Sequence, residues 1–270
     1  MNPLARYFIR YLFWPLFFIS HLLMVSLIAW SLLAQIDFAY PTGYKLLNLE
    51  AHIQEFAPLN HHKQGFEFTT PQEQWKIFAQ IVKSIQHHGE GLELISYRLP
   101  DGTSTPLMHY AEIIHLQDVS NLVDNMYIVG TSAGLLWIFL CLFAYRQKLL
   151  FPPLKQILLG FLAGIAAISI LIISLGATKV FYWFHTKIFP EGHQWFFYYE
   201  DSLMTTLMKA PDIFGFIAVL LIAQIITYWV ASVWATSKLL LRRHHSNITL
   251  NKPNQKKSIY QSSAQQKNKK

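Results

Sequence analysis

Apolar residues gather into four uninterrupted runs, Leu12–Leu33, Met126–Tyr145, Ile157–Thr178 and Ile213–Ala235, and none contains Asp, Glu, Lys or Arg. Each has about the twenty residues that an α-helix needs to cross a hydrocarbon core of ~30 Å. Between the first two runs the pattern changes. Thr70-Pro71-Gln72-Glu73 reads as a helix N-cap, a first-turn proline and a capping-box glutamate. Trp75, Phe78, Ile81, Val82 and Ile85 then recur at helical spacing, predicting an amphipathic helix over about 71–88 that Gly89 and Gly91 end. Leu92–Leu99 reads as a strand with a turn at Pro100-Asp101-Gly102, and from Leu107 a helical pattern runs into the second span. The fold class expected is an all-α membrane protein, with four transmembrane helices and a small extracytoplasmic α(+β) subdomain between helices 1 and 2.

Basic residues orient the spans. Arg6 and Arg10 precede the first, Arg146, Lys148 and Lys155 lie between the second and third, and Lys238, Arg242 and Arg243 follow the fourth. Such flanks stay cytoplasmic. Both termini are then inside, with the insertion 34–125 and the loop 179–212 outside, and 1–236 forms the membrane domain. Residues 237–270 form a basic cytoplasmic tail, rich beyond His245 in Lys, Gln, Asn and Ser and read as disordered. That tail suits anionic lipid, as cytoplasmic basic segments do, and does not call for nucleic acid. The first run has a basic flank and small residues after it, yet its apolar stretch exceeds the 7–15 residues of a signal peptide, so it reads as an uncleaved helix. Pro15 lies near its start, where a helix tolerates proline, and His21 reads as a polar residue facing the bundle.

Composition sharpens this picture. The 270 residues are 53% hydrophobic and only 14% charged, below the roughly 25% of soluble domains. The net charge of +7 divides by topology into +14 inside and −7 outside, with all 15 acids on the outer side. One cysteine, Cys141, excludes a disulfide framework or a cysteine-built metal site within the chain.

Candidate chemistry lies at the outer face. In AEIIHLQDVSNLVDN, Glu112, His115 and Asp118 fall at i, i+3 and i+6 of the predicted helix. Between spans 3 and 4 stand His185 in FYWFHTKIFP, His193 in GHQW, and Asp201-Ser202-Leu203. Taken alone, each is also what a solvated helix face or an interfacial histidine looks like. Glu112, His115 and His185 offer a metal-ligand set, but di-metal bundles need the E-x-x-H motif twice and it occurs once. Haem ligation needs histidines deep in facing spans, where only His21 lies. Hydrolysis through a nucleophile lacks G-x-S-x-G, and Cys141 is near the inner end of its span. General acid–base chemistry by a histidine pair remains, with carboxylates fixing the tautomers.

EIIHLQDV before the second span and FHTKIFP…W…DSL…P between spans 3 and 4 resemble the bacterial lipoprotein intramolecular transacylases, small four-span membrane proteins. The resemblance implies an acyltransferase of the bacterial cytoplasmic membrane. Such an enzyme moves the sn-2 acyl chain of a diacylglyceryl lipoprotein onto the α-amino group of its N-terminal cysteine and leaves the lyso form. It implies a catalytic dyad of His115 and His185, with Glu112, Asp118 and Asp201 at supporting polar positions, diacylated lipoproteins as substrate, and neither metal nor other cofactor. The chain departs from the family pattern at Glu191-Gly192-His193-Gln194-Trp195, where a second histidine opens the choice between His185 and His193. The reading from another class is a non-enzymatic four-helix subunit or scaffold that binds a partner through its outer subdomain.

Overall fold

The computed structural model of the chain describes residues 7–250. A π-helical turn, Ile9–Phe13, leads into α1, Trp14–Ala34. The widened turn lies just ahead of Pro15, which has no N–H to return to the carbonyl four residues back. The outer insertion holds α2 (Tyr40–Leu46), α3 (Leu49–Phe56), α4 (Pro71–Ile85) and the strands β1 (Ser96–Arg98) and β2 (Ser104–Pro106). Then follow α5 (Tyr110–Arg146), α6 (Leu154–Leu175), α7 (Ala177–Ile188), α8 (Leu203–Met208) and α9 (Asp212–Leu250). The segments Ile9–Ala34, Tyr110–Arg146, Leu154–Leu175 and Asp212–Lys238 are long and apolar enough to cross a membrane. The chain is a four-span helical membrane protein with one two-stranded antiparallel hairpin.

In the membrane, α1 is the centre, with α5 against one side and α9 against another. Gly130 and Gly134 of α5 face Leu27 and Met24 of α1; a Cβ on Gly130 would lie 2.7 Å from the Leu27 side chain. Small residues let the two backbones approach, which is how membrane helices gain packing energy without a hydrophobic drive. At the end of the bundle away from the insertion Phe13, Trp14, Phe17, Leu140 and Ala144 form one cluster. Midway, Val25 of α1 packs with Trp229 and Val233 of α9. His21 is buried there and bonds through Nε2 to Ser232 at 2.9 Å. It is the bundle-facing polar residue expected, and the group it meets across the interface is a serine hydroxyl.

The outer subdomain has no core of its own. Leu33 of α1, Leu116 of α5 and Ile213 of α9 share one apolar cluster with Tyr40, Phe78, Ile81, Tyr97, Leu203 and Leu207. Tyr40 stacks on Phe78 at 3.9 Å and 9°, and its hydroxyl donates to the Leu207 carbonyl at 2.7 Å. Such a pair adds about 0.5–1.5 kcal/mol beyond area burial. Both outer segments are thereby sealed onto the tops of the spans, which fixes where the polar residues converge.

Several local expectations are corrected. Thr70 caps α4 by accepting from the Glu73 N–H at 3.3 Å, but the Glu73 carboxylate does not close the capping box; it accepts from the Arg98 N–H on β1 at 3.0 Å. Sheet pairing competes for that side chain and wins. The helix ends at Ile85, short of 88, and the strand expected over 92–99 keeps only Ser96–Arg98 after a 3₁₀ turn at Leu92–Leu94. The third span stops at Leu175 because Gly176 adopts φ +88°, a conformation open to glycine, and α7 starts anew beyond it. The fourth helix continues through residues 237–250, assigned above to the tail; the rest of that tail lies outside the described residues.

Candidate active site

His109, in extended backbone, caps α5. Its Nδ1 accepts from the Glu112 N–H at 3.3 Å while Glu112 Oε2 accepts from the His109 N–H at 2.7 Å, a reciprocal capping box with histidine in the place of serine. Glu112 is buried, and its Oε1 accepts from the hydroxyl of Ser202. Ser202 in turn caps α8 by accepting from the Thr205 N–H at 2.9 Å. One carboxylate therefore ties the start of α5 to the segment between α7 and α8. Its oxygens are engaged away from His115, so Glu112 does not orient that imidazole, contrary to the expectation from helical spacing.

His115 lies one turn further along α5. Its ring meets Phe189 at 4.9 Å and Phe197 at 5.7 Å, and its Nδ1 is buried with no hydrogen-bond partner. His185 comes from α7 to the same ring, Phe189, with centroids 5.5 Å apart and stacked. It also contacts Phe181 at 4.0 Å and Trp195 at 4.9 Å. The two histidines are near enough to interact electrostatically. His185 Nδ1 lies 2.8 Å from the Phe181 carbonyl. A carbonyl only accepts, so Nδ1 carries the proton and the lone pair of a neutral ring is left at Nε2. A main-chain oxygen of its own helix, not a carboxylate, sets this tautomer.

Asp118 serves a third histidine. Its Oδ2 is 2.6 Å from His193 Nδ1, which pins the loop after α7 to α5. Asp201 faces neither dyad residue; its Oδ1 lies 3.0 Å from His61 Nδ1 and 3.8 Å from His62 Nε2. Of the residues proposed from the sequence, His115 and His185 thus share one aromatic cluster, and Asp118 with His193 ties the loop after α7 to the helix that bears His115. Glu112 clamps the start of that helix, and Asp201 belongs to a more exposed pair. Phe181, Phe189, Trp195 and Phe197 pack against the imidazoles, with Phe184 at 5.9 Å from His185 and Tyr182 against Trp195 at their edge, and Trp183 the most exposed of the α7 rings. Rings with one face on protein and one outward suit a membrane interface.

The ligand set Glu112, His115 and His185 is not assembled: among the described residues no three His, Cys, Asp or Glu side chains converge as a metal would need. Sequence reasoning missed His61, His62 and His109, and gave Ser202 no role of its own. Ser202 stands beside the quoted Asp201, and Glu112 three residues after His109 is half of a capping signature, but histidine is outside the usual N-cap set.

The sequence model of the family described as lipoprotein intramolecular transacylase Lit matches residues 12–210. Among solved structures, the fold is similar to the in meso structure of a histidine-to-arginine variant of the membrane-integral lipoprotein intramolecular transacylase Lit from Bacillus cereus. The TM-score is 0.62, over 90% of this chain and 98% of that one, at 17% identity. At that identity the likeness is one of fold. No curated protein matches the chain.

Proposed function

Because the chain belongs to the lipoprotein intramolecular transacylase family, an acyltransferase family, we propose that it forms lyso-form lipoproteins. It moves the sn-2 acyl chain of a diacylglyceryl-modified lipoprotein to the α-amino group of the same molecule's N-terminal cysteine. The reaction occurs at the outer leaflet of a bacterial cytoplasmic membrane, with both termini inside, as the basic flanks favour.

The observation that carries this reading is the packing of His115 and His185 against the same ring, Phe189, with the His185 Nδ1–H held by the Phe181 carbonyl. A free α-amino group has a pKa of about 7.7–8.0, so the neutral amine is present near neutrality, and that amine must shed one proton as it becomes an amide. His185 Nε2 accepts that proton as nitrogen bonds to the ester carbonyl carbon. The tetrahedral oxyanion receives a hydrogen bond from the N–H of His115, whose tautomer no protein group dictates. As the C–O bond breaks, the imidazolium of His185 returns its proton to the glyceryl oxygen. Atoms balance within one substrate molecule and both histidines end neutral. Nucleophile and ester are tethered, so holding them in register supplies much of the rate. The aromatic cluster keeps water from the carbonyl and so favours amide over free acid.

The Asp118–His193 pair supports a second assignment, in which His193 is the base. The test is the N-terminal lipopeptide of a reporter lipoprotein expressed with each variant. Loss of the lyso form in His115→Ala and His185→Ala, with partial retention in His193→Ala, is expected. Full loss in His193→Ala with retention in His185→Ala reverses the roles, and an unchanged diacylglyceryl peptide with well-folded wild-type protein overturns the reading.

A further inference from the structure

At the end of the bundle opposite His115, α1 and α6 stand apart. No residue of α6 is buried, and Gly160 and Gly164 on its inner flank meet nothing where a Cβ would be. Between the two helices runs a cavity of about 610 Å³. Its lining is apolar except at one end, where Arg10 and Gln156 stand at the mouth. Leu22 and Ile168 close the far end, and Phe161, stacked on Trp229 at 4.4 Å and 18°, forms part of the floor. From Arg10 to Leu22 a helix rises ~18 Å, close to the ~15 Å depth of one leaflet's hydrocarbon.

We propose that this groove is a binding site for an anionic phospholipid of the leaflet facing away from the catalytic histidines, with an acyl chain in the cavity and the phosphate on Arg10. Charge and depth commit the occupant. Arg10 is the one charged lining residue and it lies at headgroup level, where a guanidinium donates to phosphate with paired N–H groups. Below it the walls offer only hydrocarbon, over the length of one leaflet. A chain between α1 and α6 supplies the packing partner that α6 lacks in the protein. Since Gly176 alone joins α6 to α7, a lipid that fixes α6 also bears on the start of the helix that carries His185. Naming the leaflet cytoplasmic rests on the orientation proposed above; the site itself does not depend on the reaction.

Native mass spectrometry of the full chain, released from detergent after mixing with phosphatidylglycerol or phosphatidylcholine, tests this. Wild-type protein is expected to retain one phosphatidylglycerol, with phosphatidylcholine held more weakly. Arg10→Gln is expected to lower retention by about fivefold, the contribution of one cationic side chain at the headgroup surface, and to abolish the preference between lipids. Gly160→Leu with Gly164→Leu fills the cavity and is expected to remove the adduct, while thermal unfolding of the same preparation reports whether that protein is folded. Equal retention of the two lipids by wild type, retention of neither, or an undiminished adduct in the filled variant overturns the proposal. Because the readout is lipid mass and not acyl transfer, its failure is separate from failure of the transacylase reading.

Discussion

Asp118 Oδ2 on α5 and His193 Nδ1 in the loop after α7 lie 2.6 Å apart, and this contact holds the loop that carries Trp195 against the helix that bears His115. Asp118→Asn keeps the shape but removes the charge. It is expected to slow conversion to the lyso form by about fivefold, the equivalent of the ~1 kcal/mol at the upper end for a solvent-screened ion pair. His115→Ala should be far more severe. Time courses of lipopeptide conversion in membranes measure both.

On the proposed mechanism, replacing His185 removes a proton carrier and replacing His115 an oxyanion donor. His185→Ala is expected to lower the conversion rate by about 10²–10⁴-fold, the usual contribution of a positioned acid–base group. His185→Gln should not restore it, because an amide cannot take the proton. Equal activity of His185→Gln and wild type in the same membranes contradicts the assignment.

The Glu112–Ser202 clamp is structural. Ser202→Ala removes the α8 cap and one of the hydrogen bonds to the buried Glu112 carboxylate, each worth about 1 kcal/mol. Thermal unfolding in detergent should therefore shift to lower temperature by several degrees, and Glu112→Ala should shift it further, because it removes the acceptor of both the His109 N–H and the Ser202 hydroxyl. An unchanged midpoint in Ser202→Ala excludes the clamp.

Two outer histidines titrate in opposite senses. The hydrogen bond to Asp124, 2.8 Å away, and then its charge raise the His88 pKa above its usual value. Its stabilising effect is present below the unfolded pKa of about 6.5 and is lost as pH rises through the folded value. Burial, and then the Lys209 charge, lower that of His52; its effect is full above about 6.5 and fades as pH falls toward the folded value. Histidine ring NMR titrations should resolve one curve on each side of 6.5, and Asp124→Asn should return His88 to the ordinary value without moving His52.

Thr70→Ala tests the helix start legible in the chain. It is expected to cost about 1 kcal/mol, whereas Glu73→Gln should cost less, since its amide oxygen still accepts from the Arg98 N–H. Denaturation of the two variants under matched conditions separates them.

The four spans could be read directly because hydrocarbon imposes a local rule: about twenty consecutive residues without charge, which Leu12–Leu33 and its three counterparts obey whatever their neighbours do. The Thr70 cap and the end of α4 near its glycines are local in the same way. The histidines of the motifs were identifiable too, and His115 and His185 do pack against one ring. The partner of each polar group was not. Glu112 finds Ser202 90 residues away and Asp118 finds His193 75 away, while helical spacing had set both acids beside His115. Spacing along α5 defines a face, but which atoms a side chain meets depends on how the outer segments seal onto the bundle through Tyr40, Phe78 and Leu207. Local composition and periodicity determined the spans and the helix starts, since those obey forces acting within a turn or a leaflet. The division of the acids among capping, pinning and an outlying pair was decided by tertiary packing, because it depends on distances between residues far apart in the chain.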